Sequence, residues 1–120
     1  MPEPEVTFAL NIDGKHKLRV HVWATVGQLR DERKRLGGKG NRSAYGFFDS
    51  DHYAIHLAKN SIGWQTFPHE LQHFIQLWQV TYKWDGLGKH SEAIADLAGS
   101  LTEQFWKQLL KRYTVSMRNA

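Results

Sequence analysis

The sequence predicts a small α+β domain, and three observations carry that reading. Two stretches rich in β-branched and aromatic residues flank Asp13-Gly14 near the N-terminus. A short alternating run follows at His52–Lys59, and the C-terminal half holds two long segments of helical periodicity. The expected architecture is a small mixed or antiparallel twisted sheet with a backing helix and two further helices, in one domain spanning residues 1–120.

"VTFALNIDGKHKLRVHVWAT" reads as a β-hairpin, because Asp-Gly is a strong tight-turn pair. Alternation along Leu18, Val20, Val22 and Ala24 gives the second strand a buried face. Thr25 is placed to cap a helix through "VGQLRDERKRL", which Gly37-Gly38 would end. "GGKGNRSAYGFFDSD" is rich in Gly, Ser and Asp and reads as a long loop, functional or mobile. In "HYAIHLAK", Tyr53, Ile55 and Leu57 share one face of a short strand and His52, Ala54, His56 and Ala58 the other. Helices over roughly Thr66–Tyr82 and Ser91–Tyr113, joined by "KWDGLGKH", complete the chain.

Composition narrows the chemistry. There are no cysteines, so disulfides and thiolate metal sites are excluded, and any metal must be held by His, Asp or Glu. No apolar run is long enough to cross a membrane, and "MPEPEVTF" lacks a signal peptide's basic-then-apolar layout, so cytoplasmic is the expected compartment. The net charge of +4 is concentrated in Leu29–Arg42 and Gly14–Arg19. Such segments attract nucleic acid or another acidic partner, or are simply solvated. No recognisable nucleic-acid motif accompanies them.

"FPHELQHFIQLW", Phe67–Trp78, carries the sharpest signal. Pro68 is tolerated only in a first turn, which fixes the helix start near Thr66. His69 and His73 are then one turn apart on one side, roughly 200° round from an apolar stripe of Phe67, Leu71, Phe74, Ile75 and Trp78. Two imidazoles at this spacing suit adjacent corners of a zinc tetrahedron, with Glu70 beside the site. In a chain with seven histidines, random order yields such a HExxH pattern with a probability of about 2%. Zinc still needs a third protein ligand.

The last helix carries "HSEAIADLAGSL", with Glu92 and Asp96 four residues apart on the side opposite its apolar stripe. By residue type alone this is equally a solvated acidic face near a helix N-terminus. "HELQH" followed by "EAIAD", with eighteen residues (74–91) between His73 and Glu92, resembles the gluzincin branch of zinc metallopeptidases, whose signature is HExxH and then ExxxD. "SEAIADLAG" is similar to the corresponding stretch of thermolysin-like enzymes. The layout resembles minimal single-domain gluzincins and, more loosely, the small ImmA/IrrE-type proteases.

The resemblance implies a minimal zincin-like fold whose last two helices carry the active site. It implies Zn2+ held by His69, His73 and Glu92, with Glu70 as general base and Asp96 orienting a ligand histidine, His69 by expectation. The implied activity is that of a zinc metalloendopeptidase, a hydrolase cleaving peptide bonds with a glutamate-activated, zinc-bound water. Peptide or protein substrate would lie extended along strand 53–58. The alternative is a catalytically weak or silent zinc-containing module that docks an acidic partner. A protease acting on DNA-bound proteins is a third reading, carried only by the basic segments. Motif-level similarity covers Phe67–Leu101. Gln76 and Gln79 stand where metzincins place a glycine and a third histidine, and no counterpart of the downstream domain of larger gluzincins is expected. The transition-state donor is therefore open among His90, Tyr113, Tyr82 and His52. The tail after Tyr113 and the loop 37–51 are the candidates to cover the cleft as a latency device.

Overall fold

The computed structural model describes residues 2–37 and 45–113. Four strands, β1 (Val6–Asn11), β2 (Lys17–Trp23), β3 (Gly46–Asp49) and β4 (Ala54–Ala58), form one mixed sheet in the order β1-β2-β4-β3. Three α-helices, α1 (Val26–Arg35), α2 (Thr66–Tyr82) and α3 (Ser91–Tyr113), complete an α+β fold. Among the described residues no helix is long and apolar enough to cross a membrane.

The hairpin forms with Val6 opposite Val22 and Asn11 opposite Lys17. Its turn is longer than the two-residue one that Asp13-Gly14 suggests. The Asp13 carboxylate accepts the backbone N–H groups of Lys15 and His16 and pairs with the His16 ring, which organises a five-residue connection over 12–16. Gly14 supplies the positive φ of +87° that this turn requires.

Helix α1 begins where Thr25 accepts the Gln28 N–H at 3.1 Å. It packs on one face of the sheet, where Leu29 meets Trp23, Phe47 and Ala58. Helices α2 and α3 cover the other face and bury Leu18, Val20, Val22, Ile55 and Leu57. Phe67 of α2 stacks flat on Phe105 of α3, with ring centroids 3.8 Å apart. At the other end of the helix pair, Gln79 and Ile94 meet around Gly86. The two helices are therefore antiparallel.

The stretch around β3 departs from the sequence reading, which treats it as loop. Gly46–Asp49 pairs antiparallel with β4, sending Phe47 to the α1 side and Phe48 against Phe74 on the α2 side. Four residues between a Gly/Ser-rich run and "DSD" give too short an alternation to stand out. Because β3 takes the edge, β4 becomes interior, parallel to β2 on its other side. All five of its residues are buried. His56 lies on the α1 side, only 3% exposed, stacked on Phe47 at 4.3 Å, and its Nδ1 accepts the Trp23 indole N–H at 3.0 Å. Burial lowers its pKa to about 4.

Candidate metal centre

Helix α2 turns its apolar residues inward as its periodicity dictates. Phe67, Leu71, Phe74, Ile75 and Trp78 are buried, while His69 and His73 are exposed. The two imidazoles meet edge to face with centroids 5.0 Å apart. One ligand atom from each of His69, Glu70 and His73 lies within 4.8 Å of the others, and no other such group of three forms among the described residues. Glu70 sits at the border of the buried stripe and is 8% exposed. Burial raises its carboxyl pKa, and the electrostatic influence of His69, His73 and Arg33 reduces that rise without cancelling it.

These three side chains open into a cleft of about 980 Å³ at the edge of the sheet. One wall is the end of α1, with Arg33 and Leu36; the rim is the stretch Tyr45–Asp51 around β3; the other wall is the first half of α2. No strand pairs with the outer edge of β3 among the described residues, so its backbone groups face the cleft region unladdered. The sequence placed substrate on strand 53–58 instead. That strand has both edges occupied, by β2 and β3, and cannot accept another chain.

Glu92 and Asp96 are not gathered to the histidines. Both are exposed on α3. Since the Ile94 and Gln79 side chains meet around Gly86, Glu92 stands roughly 12 Å along the helix axis beyond His73. No hydrogen bond joins Asp96 to either histidine among the described residues. The third ligand expected on α3 is therefore not in place, and in the reading by residue type the two carboxylates remain an acidic helix N-terminal face.

The candidate transition-state donors also lie elsewhere. The His90 ring stacks on Trp84 and its Nδ1 accepts the Asp85 N–H. Tyr113 donates to Glu5 at 2.8 Å, Tyr82 packs on Trp78, and His52 pairs with Asp49 at 2.6 Å. Beside His69, Glu70 and His73, the polar side chains that line the cleft are Arg33, Tyr45, Asp49, Ser50, Asp51, Gln65 and Thr66. The zinc pattern gives no signal for any of them; the length of the loop before His52 pointed to Tyr45–Asp51, and the basic segment Leu29–Arg42 contained Arg33. Of the two latency devices, the tail from Thr114 and residues 38–44 lie outside the described residues, while Tyr45–Asp51 forms the rim of the cleft.

The donor set fits a borderline divalent ion such as zinc: two imidazoles free on an exposed helix face, with a carboxylate beside them. It supplies two histidine ligands and leaves the remaining positions to water, substrate or a group not in this cluster. Comparison with known protein families, with curated proteins and with solved structures finds no match for this chain.

Proposed function

We propose that the chain is a zinc-dependent hydrolase of peptide bonds, with His69 and His73 as metal ligands and Glu70 as the general base. One observation carries this reading: the His69, Glu70 and His73 donors converge within 4.8 Å in a cleft whose rim is an edge strand. Bound there, zinc would supply a Lewis acid that makes a coordinated water acidic near neutral pH. Glu70, beside both histidines, would take a proton from the attacking water and return it to the leaving amine. Its partial burial favours such a shuttle, since a carboxylate held out of water is a stronger base than an exposed one. An extended peptide would add to the outer edge of β3 through backbone hydrogen bonds.

The placement of Glu92 favours a second reading, a zinc-containing binding module that docks an acidic partner without cleaving it. A peptide-library cleavage assay on zinc-loaded protein separates the two. Cleavage by wild type that is abolished in Glu70→Gln supports the hydrolase. Full zinc occupancy without cleavage of any library member supports the binding module.

A further inference from the structure

The basic end of α1 resolves into three different roles. Arg35 clamps Glu32 through two bonds of 2.6 Å. Lys34 is exposed to solvent. Arg33 is half-buried in the wall of the cleft, and no carboxylate or other acceptor meets it among the described residues. The residues that follow, 38–44, include no Asp or Glu. A guanidinium carries five donors and keeps its charge at any physiological pH, so one that lines a cleft without a bound acceptor is available to an incoming carboxylate.

No acid of the cleft forms a hydrogen bond or ion pair with this guanidinium among the described residues. The Asp49 carboxylate is held by His52 at 2.6 Å and by the Asp51 N–H at 3.1 Å. Glu70 faces His69 and His73. Asp51 is exposed beyond the far end of β3. Arg33 nonetheless lines the same cleft as His69, Glu70 and His73. It also stands on the opposite wall, because α1 and α2 cover opposite faces of the sheet whose edge forms the rim. A chain lying along β3 thus has Arg33 on one side and the His-Glu-His group on the other.

We propose that Arg33 is the anchor for a carboxylate on the peptide that enters this cleft, so that the site selects acidic peptides. This deepens the hydrolase reading and rests on it for the word substrate; the anchor itself serves a docked acidic partner equally. Binding of fluorescein-labelled alternating Ala–Glu and Ala–Gln peptides to the full chain, read by fluorescence anisotropy, tests it. Each peptide is made with a free and an amidated C-terminus, which distinguishes a side-chain carboxylate from a terminal one.

Wild type is expected to bind at least one carboxylate form about tenfold more tightly than its neutral counterpart, the scale of one charge-assisted fork. Arg33→Gln should erase that preference, so that carboxylate and neutral peptides bind alike. Arg33→Lys, which keeps the charge without the fork, should fall between, and serves if the Gln variant fails to fold. Lys34→Gln should retain the preference. Equal binding of all peptides by wild type, undetectable binding at millimolar concentration, or a preference that survives in both Arg33 variants overturns the anchor. Cleavage of the same peptides by zinc-loaded protein is scored separately: preference without cleavage removes the hydrolase reading and leaves the anchor standing.

Discussion

Acidification from about pH 7 to about pH 4.5 is predicted to remove about 2 kcal/mol of stability through His56 alone. The side chain is 3% exposed, stacked on Phe47, and accepts a hydrogen bond from Trp23, so it is held neutral. Its folded-state pKa falls to about 4, from 6.5. Between those values the unfolded chain binds more protons than the native one, so stability is fully present above about pH 6.5 and is lost as pH falls toward 4. The gap is worth about 3 kcal/mol at its limit, of which about 2 is expressed at pH 4.5. His21, 4.7 Å away, acts in the same direction, because burial and Arg19 both lower its pKa. Glu32 and Asp49 oppose the shift of both histidines, while Arg35 reinforces that of His56.

The assay is urea denaturation of wild type and His56→Asn at both pH values. Asparagine keeps an acceptor for the Trp23 N–H, so the variant should be less stable at neutral pH through lost packing but less sensitive to acid. The difference between the two chains cancels the carboxylates that titrate in the same range. If wild type loses no more stability on acidification than His56→Asn, His56 is not held neutral in the fold and the reasoning fails.

Other predictions follow from the same geometry. Phe105→Ala removes a fully buried ring stacked on Phe67 and should cost about 3–5 kcal/mol in denaturant; a loss below about 1 kcal/mol would contradict the packing of α3 on α2. Glu92→Gln and Asp96→Asn should each leave zinc affinity within about threefold of wild type, because neither carboxylate reaches the histidines. A loss beyond about tenfold in Glu92→Gln, measured by competition with a chromophoric chelator, would instead place α3 at the metal. Glu70→Gln should retain zinc and lose peptide hydrolysis, whereas His73→Ala should lose both; hydrolysis by Glu70→Gln at the wild-type rate would remove Glu70 as the base.

The elements with strong local signals were legible in the sequence. Pro68 and the apolar stripe of Phe67–Trp78 specify α2 and the outward turn of His69 and His73, since helical periodicity alone decides both. Thr25 and the alternation of Leu18, Val20 and Val22 likewise specify the start of α1 and the buried face of β2. The parts that depend on tertiary placement were not legible. Whether Glu92 meets His73 is set by how far α3 slides along α2, and that is fixed by contacts such as Phe67 on Phe105 rather than by spacing in the chain. β3 was hidden because Gly46–Asp49 is too short to show a period, and its pairing turned β4 from an edge into an interior strand. Arg33 carries no motif; its position emerges only when α1 is docked beside the edge strand.

The most direct test of the metal centre is zinc stoichiometry by elemental analysis after loading and exhaustive dialysis, on wild type, Glu70→Gln, His69→Ala and His73→Ala. The account predicts about one zinc per chain for wild type and Glu70→Gln, and little or none for either histidine variant. Wild type without bound zinc, or histidine variants that bind as much as wild type, would contradict it.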